Sequence, residues 1–304
     1  MSLMIGAEHI APTLQAALET WEQCESRLTA LYTELSNREV DGAEPYDPGV
    51  LAAPLPRSWQ WLDGSAFPSH GELMQKAFKL PPIETTNPLM YQGMSHQFLS
   101  GLEDVPFQNE SDGIDFEGEF AVITGPVPLG TTESEAIRHI RLAVQINDWS
   151  LRVIAPVEMK TGFGWIQAKP ACSVAPLAVT LDELGDAWSD CRPRANLEVA
   201  VNGVVFGDVP ATEMQFGFQD LIRHAARTRQ LCAGTIIGSG TVSSSRWREF
   251  GSCCIAEKRA IEMIETGAPT TPFLRFGDRI RMRTKITGQP FSVFGEIDQR
   301  VTSS

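Results

Sequence analysis

The chain has 304 residues, 42% of them hydrophobic, and a formal net charge of -13. That apolar content suffices for the core of one large domain or a domain plus an appendage, which excludes disorder as the default state. The acidic balance argues against a nucleic-acid partner, because phosphate binding depends on clustered Lys and Arg. No apolar run reaches the roughly 18 residues of a membrane span, and the first residues lack the basic-then-apolar pattern of a signal peptide. The sequence therefore reads as a soluble cytoplasmic protein without a membrane partner.

Taken in chain order, the first element is helical. Thr13 precedes Leu14, Leu18, Trp21, Leu28, Leu31 and Leu35, a spacing near 3.6 with a plausible N-cap. The proline-rich stretch from Asp41 to Pro56 breaks it and reads as a linker. This divides the chain into a helical segment with linker (1–50) and a main domain (51–304). Beyond the linker, Phe120 to Thr124 and Leu142 to Ile146 are apolar runs of strand length, and Leu197 to Val209 contains the hairpin pair Asn202-Gly203. Short helical periodicity returns at Glu133 to Ile140, Phe218 to Arg229 and Glu257 to Glu265. Arg279 to Thr287 alternates apolar and basic residues, then turns at Gly288 into Phe291 to Ile297, as a half-buried antiparallel strand would. Alternating βα units are missing, so the fold expected is a β-rich α+β domain with a mixed sheet and peripheral helices. The six cysteines show no zinc-type spacing and read as reduced thiols, Cys253 and Cys254 included. From Leu221 to Ser304 there are 13 Lys or Arg against 7 Asp or Glu, a region that either guides an anionic metabolite or is a solvated surface.

The candidate chemistry begins at GIDFEGEF, residues 113 to 120. Glu117 and Glu119 are two apart in extended geometry and project from one face, where like charges need something positive between them. A hard cation preferring oxygen ligands would supply it. Asp148, after LAVQIN and beside Trp149, either completes such a site or caps a turn. Asp63 lies among Trp59, Trp61 and Phe67, with His70 seven residues on, a composition expected of a partly desolvated pocket. Spacing alone leaves open whether the four acids meet. The glycines 234, 238 and 240 carry neither a phosphate-loop Lys nor G-x-G-x-x-G, and both G-x-S-x-G and H-E-x-x-H are absent.

The ordered set DGSAF..H, FEGEFAV, NDWSLR, a Lys in FGWIQAKP, GSGTVSS and FGDRIRM resembles the fumarylacetoacetate hydrolase family from about Pro54 to Gln299. The resemblance implies a mixed β-sheet roll, usually a homodimer, with Mg2+ or Ca2+ (Mn2+ as a further possibility) held by Asp63, Glu117, Glu119 and Asp148. It assigns His70 as general base for water, Lys169 as the cation that steadies a developing oxyanion, and Tyr91 and Thr241 as substrate contacts. Lys79 sits where a basic residue would meet a substrate carboxylate. Glu72 and Glu257 are the alternatives for the acid that orients His70. The sequence departs from the family pattern at Val153, which stands where an Asp often follows the Arg of the NDWS motif. The activity implied is metal-dependent hydrolysis of a carbon-carbon bond in a small anionic 1,3-diketo acid, in aromatic amino acid or related catabolism. Decarboxylation, hydration or isomerisation of a 2-oxo acid is the family rival, and a metal-stabilised binding protein without turnover is the rival from another class.

Overall fold

The structure is a computed structural model that describes residues 2–79, 81 and 86–304. Thr13 caps the first helix, its hydroxyl accepting the Ala16 N–H at 3.1 Å. The amphipathic stretch forms two helices, Leu14–Glu19 and Trp21–Asn37, because Thr20 leaves helical geometry between them and its hydroxyl donates back to the Ala16 carbonyl at 2.8 Å. Leu18 and Trp21 are buried with Ala53 and Leu55 against Ile123, Leu142 and Val144. The N-terminal segment thus covers one face of the main sheet, each such side chain contributing about 1.5–3 kcal/mol of burial.

That main sheet has seven strands in the order Met90–Gly93, Trp61–Gly64, Ile236–Gly238, Gly118–Thr124, Ile140–Asn147, Ser173–Val174 and Leu99–Ser100. It is mixed: Ile236–Gly238 runs parallel to Trp61–Gly64 and antiparallel to Gly118–Thr124. A second sheet of five strands orders Val204–Pro210, Asn196–Val201, Arg279–Lys285, Glu296–Ser303 and Val105–Phe107. Phe120 and Val122 from the first sheet join Leu197, Val199, Met282 and Ile297 from the second in one buried cluster. The expected β-rich α+β fold with mixed sheets and peripheral helices is the observed one.

Several local expectations hold for the reasons given. Asn202 and Gly203 both have positive φ, 51° and 81°, and join the Asn196–Val201 and Val204–Pro210 strands as the primed turn their sequence favours. Ile280, Met282 and Thr284 face inward, and the arginines between them face out. The return strand begins later than expected, at Glu296, because the chain turns at Gly288 and again at Gly295, both with positive φ. The helix expected to reach Arg229 is Phe218–Ala225 and stops early. Helices not expected from the sequence include the short Ala155–Thr161 and Trp247–Phe250 and the longer Pro68–Phe78, which opens with proline at its first turn and carries His70.

Part of the basic stretch near the C-terminus, Arg279–Lys285, is a surface of cross-strand pairs. Arg279 pairs with Asp298 at 2.6 Å, Arg281 with Glu296 and Arg283 with Glu198, each at 2.7 Å. These charges are spent on neighbours, which favours the solvated-surface reading over guidance of an anion. All six cysteines are unpaired. Cys253 and Cys254 are fully buried, and Cys254 caps the Ile255–Thr266 helix, its sulfur accepting the Glu257 N–H at 3.3 Å.

Candidate active site

Sheet register assembles the acids. Gly118 pairs with Asn147, so one step further along this antiparallel pair Glu117 stands opposite Asp148, and the Asp148 N–H donates to the Glu117 carbonyl at 3.0 Å. On the other side Asp63 pairs with Gly238 in the neighbouring parallel strand. A Cβ at Gly238 would fall 2.4 Å from Asp63 Oδ1 and 3.0 Å from Glu119 Oε2, so only glycine leaves room there for the two carboxylates. Gly240, with φ of 75°, turns the chain so that its N–H donates to Asp63 Oδ1 at 3.0 Å. One oxygen from each of Asp63, Glu117, Glu119 and Asp148 lies within 4.8 Å of all the others, and all four residues are buried.

The surroundings tie down some of these oxygens and leave others bare. Lys169 Nζ bridges Glu117 Oε2 at 2.7 Å and Asp148 Oδ2 at 2.6 Å. Tyr91, paired with Asp63 across the neighbouring strand, donates its hydroxyl to Asp148 Oδ2 at 2.5 Å. The Cys172 thiol donates to Asp148 Oδ1 at 2.9 Å. Arg152 joins Glu117 Oε1 to Asp115, which it meets at 2.8 Å, and Asp115 accepts the Ile255 and Ala256 N–H groups at the start of the Ile255–Thr266 helix. Both oxygens of Glu119 are buried with no partner among the described residues.

The charges respond to this arrangement. Burial, reinforced by the neighbouring Asp63 and Asp148 carboxylates, pushes the Glu119 carboxyl well above its ordinary range, and burial with Asp148 does the same for Asp63. Burial would also raise Glu117, but Arg152 and Lys169 outweigh it and hold Glu117 below the usual carboxylate range. Burial opposes the charge on Lys169, and Asp148 and Glu117 more than restore it, so its ammonium is held above the ordinary lysine range.

A divalent cation fits this group. With ligand distances of roughly 2.0–2.6 Å, oxygens on opposite sides of such an ion stand about 4 to 5 Å apart. The observed spread matches, and the partnerless Glu119 is the residue left asking for positive charge. Among the described residues, these five buried carboxylates, Asp115 included, form ion pairs with Lys169 and Arg152 alone, so the deficit is one a divalent ion reduces. The donors are all oxygens, as Mg2+ and Ca2+ prefer.

A pH dependence follows for the metal-free protein. Asp63 and Glu119 have folded-state values raised above the unfolded ones, so their contribution is fully present below the ordinary carboxylate range and is lost as pH rises through the raised values. Glu117 is lowered and acts oppositely, losing its contribution only at more acid pH. Chelator-treated protein is therefore expected to melt at a lower temperature as pH is raised above the carboxylate range. Added Mg2+ or Ca2+ should flatten that slope, which thermal melts across pH with and without metal will show.

His70 lies beside this group on the Pro68–Phe78 helix, its side chain about one-fifth exposed. Its Nδ1 faces Glu257 Oε1 at 3.8 Å, and Glu257 Oε1 accepts the Ser243 hydroxyl, which in turn accepts the Ser69 hydroxyl at 2.8 Å. Of the two acids considered for His70, Glu257 is the one in place. Glu72 is exposed on the helix surface, a correction whose cause is helical geometry: a residue two positions on points away from His70. Thr241 is buried immediately after the Gly240 turn. Lys79 is exposed at the C-terminal end of the His70 helix, nine residues and about 13 Å of helix rise beyond His70, and is not brought to the carboxylate group. Trp59 is likewise exposed, whereas Trp61 and Phe67 are core side chains.

Asp115, Arg152 and Cys172 were not singled out from sequence. Asp115 continues the two-residue spacing of Glu117 and Glu119, and Arg152 ends the NDWSLR motif, so both had a signal. Cys172 had none, because its place depends on Ser173 pairing with Asn147, which puts Cys172 across from Asp148.

A curled pair of mixed sheets holds four buried carboxylates able to take a divalent cation, a bridging lysine and a His-Glu pair, the arrangement of a candidate enzyme site. The Fumarylacetoacetate (FAA) hydrolase C-terminal profile matches residues 60–302, and the Fumarylacetoacetase N-terminal domain 2 profile matches residues 1–57. The chain belongs to the fumarylacetoacetate hydrolase family. It is 26% identical over 230 residues to the fumarylacetoacetase of Rattus norvegicus, covering 64% of this chain and 54% of that protein. It is 24% identical over 200 residues to an oxaloacetate tautomerase of Bacillus subtilis, covering 66% of this chain and 56% of that one. The chain spans about half the length of the curated relatives it matches. Among solved structures it shares the fold of a 5-carboxymethyl-2-hydroxymuconate delta-isomerase from Mycobacterium smegmatis, with a TM-score of 0.56, 17% identity, and coverage of 84% of this chain and 82% of that one. Hydrolases, isomerases and tautomerases thus all stand among its relatives and neighbours.

Proposed function

We propose that this chain hydrolyses a carbon-carbon bond in a small 1,3-diketo acid of the acylpyruvate or fumarylacetoacetate type. The observation that carries the reading is the His70-Glu257 pair, a base and its acid partner standing apart from the four carboxylates. A protein that only bound metal would have no use for it. Glu257 steadies the imidazolium that forms when His70 takes a proton from water, and the hydroxide adds to the carbonyl carbon. The carbon-carbon bond then breaks, and its electron pair leaves as an enolate, which takes up the proton that His70 removed from water. Lys169 sets a fixed ammonium beside the developing negative oxygen, and Tyr91, whose hydroxyl donates to the same Asp148 oxygen that Lys169 meets, stands next to it as a substrate contact. Asp63, Glu117, Glu119 and Asp148 would hold Mg2+ or Ca2+, with Mn2+ as a further possibility, and that ion would polarise the diketone oxygens. We place the enzyme in the cytoplasm as a homodimer acting in aromatic amino acid or related catabolism.

A second reading is enol-keto exchange or isomerisation of a 2-oxo acid. The names of several relatives, oxaloacetate tautomerases, favour it, and Lys169 and Tyr91 supply two proton-bearing groups at one carboxylate. The test is a panel of 2,4-diketo acids and oxaloacetate, assayed with Mg2+ and with chelator. Hydrolysis predicts metal-dependent loss of enol absorbance matched by release of two carboxylic acids. Enol-keto exchange without cleavage of any diketo acid would reject it.

A further inference from the structure

Between Arg152 and Lys169 the chain leaves the sheets and returns, and both ends of this excursion grip the same residue, Glu117. Its base is closed where the Leu151 N–H donates to the Ala168 carbonyl at 2.8 Å. The outgoing limb is the Ala155–Thr161 helix, and Gly162 and Gly164, with φ of 73° and 99°, turn the tip. The returning limb has no regular structure, so its backbone donors need a partner from elsewhere. Glu158 provides it: Oε1 accepts the N–H groups of Ile166 at 3.1 Å and Gln167 at 2.9 Å, and Oε2 accepts those of Ile166 at 3.2 Å and Ala168 at 3.0 Å. Three consecutive amides are thereby held by one carboxylate, and the next residue is Lys169.

We propose that Glu158 is a positioning residue whose carboxylate fixes the returning limb so that the Lys169 ammonium sits between Glu117 and Asp148. The role of Lys169 in turnover rests on the functional reading above, but its placement does not. A lysine side chain carries about 2 kcal/mol of rotamer freedom on a flexible stem, so an anchored backbone is what makes one position of its charge persist. Consistent with this, the amides hold the Glu158 carboxyl below its ordinary range although burial opposes them. Val157, Met159, Phe163 and Ile166 on the same excursion are exposed, so Trp165, which meets the Tyr91 ring edge-on at 6.2 Å, and the buried Ala168 are the apolar contacts left to the returning limb if the carboxylate is removed.

The test reads Lys169 directly. Metal-free native protein and the variants Glu158→Gln and Glu158→Ala are treated briefly with an amine-acylating reagent, and modification at each lysine is measured by mass spectrometry. The exposed Lys76, Lys79 and Lys160 serve as internal references. Lys169 is expected to become at least 10-fold more reactive in Glu158→Ala and to change less in Glu158→Gln, which keeps one carbonyl acceptor, with the references unchanged. With a cleaved diketo acid, Glu158→Ala should lower kcat about 10-fold and leave KM and metal affinity near native values. Unchanged Lys169 reactivity in both variants would overturn the proposal, as would equal rises at every lysine, which signal general loosening. Native protein that cleaves no diketo acid would count against the functional reading alone, since the labelling result stands without it.

Discussion

Replacing His70 with Ala is expected to lower turnover by roughly 10²- to 10⁴-fold, the range usual for a general base, while metal binding stays at the native level. The two properties separate because His70 pairs with Glu257 rather than contributing to the carboxylate group. A hard cation already has four oxygen donors there and gains nothing from an imidazole. Rate and metal titration on one preparation decide the matter. Parallel loss of both would make His70 a ligand or a structural residue, and full retained activity would place the base elsewhere.

Glu119→Gln should act on the other half of the site, with opposite effects on the two forms of the protein. Without metal, the native chain holds a buried carboxylate whose oxygens have no partner among the described residues. Gln has nearly the same shape and no charge, so the metal-free variant should be at least as stable as the native chain. With metal the order reverses. A ligand at 100 times its dissociation constant stabilises the folded state by about 2.7 kcal/mol, and the variant, whose affinity should fall by at least ~10²-fold, should lose most of that gain. Thermal melts with and without Mg2+ or Ca2+ read both arms. A variant that gains as much from metal as the native protein would remove Glu119 from the ligand set.

How much of this was legible in the sequence depends on how local each feature is. The Thr13 cap and the Asn202-Gly203 turn are settled within a few residues, and they formed as read. Glu117 and Glu119 were legible as a pair because a strand fixes its own two-residue period. That Asp148 stands across from Glu117, and Asp63 beside Gly238, are facts of register between strands far apart in the chain, and local spacing cannot supply them. The ordered motif set supplied them instead. The choice between Glu72 and Glu257 shows the same limit. Glu72 lies close to His70 in sequence, but the His70 helix turns it outward, while Glu257 arrives from a helix whose first amides are held by Asp115. Lys79 stands at the far end of the same helix, about 13 Å of helix rise from His70, a separation that sequence spacing alone does not give. Arg152 was in view as part of a motif but acquires its meaning only where it joins Glu117 to Asp115.

The central claim is that water is added across a carbon-carbon bond, and following the oxygen tests it most directly. The Mg2+-loaded enzyme is given acetylpyruvate in water enriched in oxygen-18, and the carboxylic acids released are analysed by mass spectrometry at early times. Hydrolysis predicts acetate and pyruvate in equal amounts, with one solvent oxygen in the acetate carboxylate, and neither product when His70 is Ala. Recovery of intact diketo acid with no labelled acetate would contradict the account.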